Sequence, residues 1–146
     1  MQERILALDV GERRIGVAVS DPLGMIAQSV GLIEHVGWGP DVAKVCEIAD
    51  RYQTRSVLCG LPLNMDGSAG GQAEKVRAFA KQLENAGFTV SFWDERLTTV
   101  TAERALIEGG VRRAARKRLV DKTAAAVILQ AYLDAGMLRR GQTNGT

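Results

Sequence analysis

Apolar residues recur along the chain in two periods, and the switch between them divides it into elements. In residues 4–10, Ile5, Ala7 and Asp9 fall on one face and Leu6, Leu8 and Val10 on the other. Both faces are apolar up to Asp9, which predicts a central strand covered on both sides. "GERR" is a short turn in which Gly11 can take a positive φ. Ile15–Ser20 make a second, antiparallel strand, "DPLG" a turn, and residues 25–34 a third strand. The helical period then takes over. Residues 41–52 carry Val42, Val45, Ile48 and Ala49 on one stripe, with Asp41 as N-cap. "RSVLCG" at 55–60 is a fourth strand, followed by the loop "LPLNMDGSAGG". A helix over 72–86 carries Val76, Phe79, Ala80 and Leu83, with Gly87 as its C′ residue. "FTVSFWDE" is the fifth strand, and "TTVTAERALIEGG" a helix. Residues 121–135 form the last helix, with Ala124, Val127, Ile128, Ala131 and Tyr132 on its stripe. One domain spans 1–138, and the polar stretch 139–146 reads as a disordered tail.

Three antiparallel strands followed by strand–helix units require the later strands to join in parallel. If they add beside strand 1, the strand order is 3-2-1-4-5. The expected fold is therefore α/β, a five-stranded mixed sheet with helices on both faces. That is the ribonuclease H-like arrangement, with strand 1 in the middle. The 146 residues suit one such domain, at 46% hydrophobic and 25% charged. No apolar run is long enough to span a bilayer, and the N-terminus carries no secretory pattern, so a cytoplasmic protein with no membrane partner is expected. Cys46 and Cys59 form no CxxC pair and read as reduced, buried residues. A net charge of +2 puts any nucleic-acid binding down to local clusters.

Chemistry enters through the carboxylates. Asp9 ends the central strand, and ligands in open α/β sheets collect outside the carboxyl ends of the strands. Strand 5 ends in "WDER", with Asp94 and Glu95. The last helix opens on Asp121, spaced i, i+3, i+4, i+7 with Ala124, Ala125 and Ile128, which turns it toward the sheet. Each acid alone has a plainer role, Asp9 as a turn residue and Asp121 as a helix cap. Together, three acids from three elements would repel one another unless a cation sat among them. Oxygen-only ligation suits Mg²⁺ or Mn²⁺, and two such ions serve phosphodiester hydrolysis.

"LALDVGERRIGVAVSD", "GLPLNMDG", "DERLTT" followed by "AERALIEGG", and "VDKTAAAVILQAYLD" resemble, in order and spacing, the motifs of the YqgF/RuvX family. Its members are described as pre-16S rRNA nucleases and formerly as Holliday junction resolvases. The resemblance covers roughly Ile5 to Asp134. It implies a ribonuclease H-like fold, a cytoplasmic location, and divalent-metal hydrolysis that trims the 5′ end of the 16S rRNA precursor. Carried over, the catalytic and metal-binding residues are Asp9, the DER acid and Asp121. Related junction resolvases place an acid at the end of strand 4, where this chain has "CGLP". The DER motif must then supply the second ligand. Glu95 is preferred for its longer arm, with Asp94 as the alternate.

The segment 112–118 packs Arg112, Arg113, Arg116, Lys117 and Arg118 together, with Lys122 close behind. Such a cluster beside Asp121 suits phosphate contacts, although a solvated helix face is the ordinary role of a basic run. Arg13, Asn64 and Arg96 are further candidate nucleic-acid contacts, and Arg14 reads as an exposed turn residue. His35 reads as a surface histidine away from the acidic edge, and Trp38 and Trp93 as packing residues. Precursor 16S rRNA is the preferred partner over branched DNA, and a monomer or weak homodimer is expected. The alternatives are a Holliday-junction-type endonuclease and a non-catalytic RNA-binding assembly factor. An actin-like ATPase is set aside, because its two lobes exceed this length.

Overall fold

The computed structural model describes residues 3–98 and 123–143. The elements are β1 (Ile5–Val10), β2 (Arg14–Ser20), β3 (Ala27–Glu34), α1 (Trp38–Tyr52), β4 (Ser56–Leu61), α2 (Gly71–Asn85), β5 (Thr89–Asp94) and α3 (Ala124–Thr143). They build a five-stranded sheet in the order β3-β2-β1-β4-β5. β1 runs antiparallel to β2 and parallel to β4, and β5 runs parallel to β4. This is the order expected if the later strands add beside strand 1.

Strand parity sorts the side chains into two layers. Leu6, Leu8 and Val10 face one way with Ile15, Val17, Val19 and Cys59, and pack under α1 and α2 through Val45, Ala49, Val76, Phe79 and Leu83. Ala7, Ala18 and Leu58 face the other way and pack under α3 through Ala125, Ile128 and Leu129. Alanines at the centre of the second layer let α3 sit close to the sheet. Every residue of the predicted α2 stripe is buried, and Gly87 takes φ 101° after the helix, where a side chain would be strained. Trp38 stacks on Phe79, and Trp93 meets Tyr132 edge-on.

Several expectations need correction. α1 begins at Trp38, capped by Gly37, so Asp41 lies in its first turn rather than at the N-cap. Asp41 is buried and accepts bonds from the Val36 N–H and the His35 ring, so it caps the preceding loop. His35 is exposed, as expected of a surface histidine, although its ring is bonded to Asp41. It sits at the same sheet edge as the β1–β2 turn, donating its backbone N–H to the Arg13 carbonyl at 2.9 Å, but its ring contacts Trp38 of α1 on the face opposite α3. The last helix starts at Ala124, where Thr123 Oγ1 accepts the Ala126 N–H at 3.4 Å, and not at 121. Its buried face is Ala125, Ala126, Ile128, Leu129 and Leu133, whereas Ala124 and Val127, placed on the stripe by the sequence, are exposed. An all-round apolar helix leaves its phase ambiguous, and the alanine run allows several. α3 continues through Thr143, past the point where the sequence reading sets a tail apart. The predicted helix at 98–110 lies outside the described residues beyond its first position.

Candidate active site

Asp9 stands one residue from the carboxyl end of β1, opposite Gly16 of β2. Parity puts it on the α3 face with Ala7. It is half-buried, and that burial pushes its carboxyl above the ordinary pKa, because the anion loses water without gaining a compensating charge.

Glu95 reaches the same place from the other side of β4. β5 ends at Asp94, one residue earlier than the sequence predicts. The chain then turns, and the Glu95 backbone N–H donates to the Leu61 carbonyl at 3.2 Å. The side chain folds back over Gly60: its Cγ and Cδ each lie 3.4 Å from the position a Gly60 Cβ would take. Leu8 pairs with Cys59, so the next step of the parallel register sets Asp9 beside Gly60. Glycine at 60 thus leaves the gap through which Glu95 approaches Asp9. The electrostatics agree. Burial raises the Glu95 pKa first, and the charges of Asp9 and then Asp94 raise it further.

Asp94 is held elsewhere. Its Oδ1 accepts both the backbone N–H and Nε–H of Arg96 at 3.0 Å, and its Oδ2 accepts Nη2–H at 2.6 Å. The Arg96 side-chain bond keeps Asp94 below the ordinary carboxylate range despite some desolvation. Arg96 also donates from Nη1 to the carbonyls of Asn64 at 3.4 Å and Met65 at 3.2 Å. It therefore clasps the loop after β4 onto the end of β5. Inside that loop Asn64 Nδ2 donates to Ser68 Oγ at 3.0 Å, and Asp66 Oδ1 accepts the Ser68 N–H at 2.9 Å. Asn64 and Arg96, expected as nucleic-acid contacts, are thus both engaged in shaping the loop.

The structure brings Asp9 and Glu95 together. Among the described residues no group of three His, Cys, Asp or Glu side chains is placed to hold a metal ion. Asp121 lies outside the described residues, as do Arg112, Arg113, Arg116, Lys117, Arg118 and Lys122. Arg13 is exposed in the first turn. Its neighbour Arg14 is the one on Asp9's face, paired with Glu34 at 3.4 Å and lining a groove of about 340 Å³ that Asp9 also lines.

Sequence reasoning passed over two residues here. Gly60 carried a usable signal, since a glycine inside a buried strand marks a close approach. Gln72 carried none: its Nε2 donates to the Val10 carbonyl at 2.6 Å, tying the start of α2 to the strand end that bears Asp9.

Fold and site define a ribonuclease H-like protein with a carboxylate pair at the carboxyl edge of its central strand. A structure of Thermus thermophilus RuvC in complex with a Holliday junction substrate superposes with a TM-score of 0.58 at 14% identity, covering 96% of both chains. A second structure of T. thermophilus RuvC gives the same TM-score. At that identity the likeness concerns the fold. The chain belongs to the RuvX family, whose model, described as "RuvX: Holliday junction resolvase", matches residues 3–135. A relative from Clostridium kluyveri named "Putative pre-16S rRNA nuclease" is 48% identical over 132 residues, covering 90% of this chain and 96% of its own. A relative of the same name from Clostridium acetobutylicum is 47% identical over 133 residues, covering 90% and 98%. Family and fold together fit a phosphodiester-hydrolysing nuclease.

Proposed function

We propose that the protein is a divalent-metal-dependent nuclease of the cytoplasm that cleaves phosphodiester bonds in structured RNA, maturing the 5′ end of the 16S rRNA precursor. The observation that carries the catalytic reading is Glu95 leaning across Gly60 to share a space with Asp9, each carboxyl raised in pKa. Two half-buried acids in mutual repulsion are the donor set that a cation relieves, and their oxygen-only chemistry suits Mg²⁺ or Mn²⁺. Neither His35 nor Cys59 contributes, since both belong to the opposite face of the sheet.

Asp9 and Glu95 would hold the cation, with Asp121 as the third acid of the set. When bound, such ions supply Lewis-acid stabilisation and an activated water for the hydrolysis. The chain's own residues fix the acids in place. Gln72 secures the end of β1, Trp93 anchors β5 under α3, and the Asp94–Arg96 clasp sets the turn that aims Glu95. The basic segment 112–118 would neutralise phosphates of the approaching strand. RNA is favoured as substrate by the names that the relatives carry, and a monomer or weak homodimer suffices for a single cut.

The family description favours a second reading, a four-way DNA junction as substrate, for which paired cuts would need a dimer. The test is purified protein with Mg²⁺ or Mn²⁺, given a 16S precursor RNA and, separately, a four-way DNA junction, with Asp9→Asn as control. Cleavage of the RNA at its 5′ flank, lost in the variant, is expected. Cleavage of the junction alone would install the second reading. Activity on neither, with RNA binding intact and indifferent to Asp9→Asn, would make the protein a non-catalytic assembly factor.

A further inference from the structure

Asp9 has glycine beside it on both neighbouring strands, and the two sides differ. On the β4 side the space above Gly60 is filled by Glu95. On the β2 side Gly16 keeps the floor low, with Ala125, Asp9 and Leu32 standing 3.6–3.8 Å from where a Cβ would be. Gly16 forms part of the groove of about 340 Å³ whose walls are Asp9, Arg14, Ser29, Leu32 and Ala125.

The residues that keep this groove open are not explained by the fold. Gly16 is outside the positive-φ region. A Cβ there would meet Ala125 at 3.6 Å, Asp9 at 3.7 Å and Leu32 at 3.8 Å, all ordinary contacts. Neither backbone nor close packing demands glycine; its lack of a side chain leaves the groove floor low. Beyond it, the register of β2 and β3 shifts between Val17 and Ala18, which brings Ser29 and Leu32, an odd number of residues apart, to the same groove. Gly31, at φ 148° in this bulge, adds no side chain. Leu32 stands 65% exposed on a strand that buries Ile33 and partly buries Val30. At the rim Arg14 pairs with an exposed partner, Glu34, at 3.4 Å, a pair weak enough to exchange for a phosphate.

We propose that this groove seats the base of a nucleotide adjoining the scissile phosphate, with Gly16 and Gly31 as floor, Leu32 as apolar wall and Arg14 as the cation for the neighbouring phosphate. The assignment rests on the nuclease reading for its place beside the cut. The chemistry points to a base rather than to a second phosphate. Gly16, Gly31, Leu32 and Ala125 offer apolar surface, which suits a flat π-face. Asp9, Ser29 and Thr123 add polar lining, and among the described residues Arg14 is the cation of the lining, at its edge. The volume lies at the lower end for a small-molecule site, enough for one nucleotide.

The test uses the intact chain and no metal, so it does not depend on cleavage. Amide spectra by NMR are recorded while adding a nucleoside 5′-monophosphate, its 2′-deoxy counterpart, or ribose 5-phosphate, which has the sugar and phosphate but no base. The expected result is saturable shifts at Gly16, Gly31, Leu32 and Ala125, with ribose 5-phosphate at least about fivefold weaker. Leu32→Ala should erase the advantage of the base, and its exposed position protects the fold. Gly16→Val should block the site, and its spectrum reports whether the fold survives. Comparison of the ribo- and deoxyribonucleotide tells which nucleic acid the groove prefers. Ribose 5-phosphate binding as tightly as the nucleotides, or shifts clustered away from β2 and β3, would overturn the subsite. A protein that binds nucleotides here yet cleaves nothing would fail the nuclease reading while keeping the groove.

Discussion

Gly60→Ala should separate catalysis from stability in this protein. The added methyl would stand 2.8 Å from Ile128 Cδ1 and 3.4 Å from both Cγ and Cδ of Glu95. The first contact must relax, but the atom concerned ends a flexible side chain and has to give only about half an ångström. Overpacking costs about 1–3 kcal/mol in general, and this case belongs at the lower end. Replacing glycine by alanine at a strand position also restricts the unfolded chain, which returns roughly 0.4–1 kcal/mol. The net change is therefore within about 1 kcal/mol, a shift of only a few degrees in Tm. Activity should respond differently. The methyl meets Glu95 at the lower limit of ordinary contact and can push it from Asp9 by a few tenths of an ångström. Since misplacing a catalytic group by about 1 Å costs on the order of 100-fold in rate, a several-fold loss is expected. Thermal melts and single-turnover cleavage of precursor RNA with saturating Mn²⁺ measure the two effects separately. Adding Ile128→Val removes the 2.8 Å clash and should recover the melting temperature without recovering the rate. Near-native turnover in Gly60→Ala would refute the reasoning, because Glu95 would then not depend on the gap above residue 60.

Further outcomes follow from the same geometry. Both acids of the pair titrate above their ordinary values of 3.8 and 4.5, so the metal-free fold takes up protons more readily than the unfolded chain. The associated stability is present at low pH and lost as pH rises through the raised values. Asp9→Asn should therefore abolish cleavage yet raise the metal-free Tm at neutral pH, and that advantage should shrink toward pH 4; an advantage unchanged with pH would contradict it. Asp94→Asn, which breaks the bonds to Arg96, should lower Tm by a few degrees and leave much of the turnover, whereas Glu95→Gln should eliminate turnover at normal Tm; the reverse pattern would make Asp94 the ligand. Neutralising Arg112, Arg113, Arg116 and Lys117 together should flatten the plot of log affinity against log salt by about three units if all four meet phosphates, and an unchanged slope would return them to solvent.

The sheet was legible in the sequence because strand alternation and chain order are strong, redundant signals. Asp9 could be placed because its strand has only one carboxyl edge. Prediction weakened where a residue's role depends on what lies across from it. Asp41 satisfies the cap composition, but Trp38 finds Phe79 to stack on, so α1 starts a turn earlier and Asp41 turns back to His35 and Val36. The phase of α3 was misjudged because its alanines and valine are interchangeable in a hydrophobicity count, and the close fit of Ala125 and Ala126 to the small residues of β1 and β2 decides which side faces inward. Of the two turn arginines, parity puts Arg14, expected only as an exposed turn residue, on Asp9's face. Gly60 was read only as the absence of an acid.

That absence is the most informative feature of the edge. In the related resolvases that the sequence resemblance brings in, the fourth strand supplies a carboxylate, and here it supplies a hydrogen atom. The volume a side chain at 60 would fill is the volume Glu95 crosses. The two arrangements therefore exclude one another: either β4 carries the second acid, or it carries glycine and the acid arrives from the turn after β5. Choosing the second makes the site depend on whatever fixes that turn. The Asp94–Arg96 pair does so, and the same arginine holds the carbonyls of Asn64 and Met65, so the loop after β4 and the aim of Glu95 are set by one side chain. Motifs that are separate in the sequence, "GLPLNMDG" and "DER", are in this sense a single device.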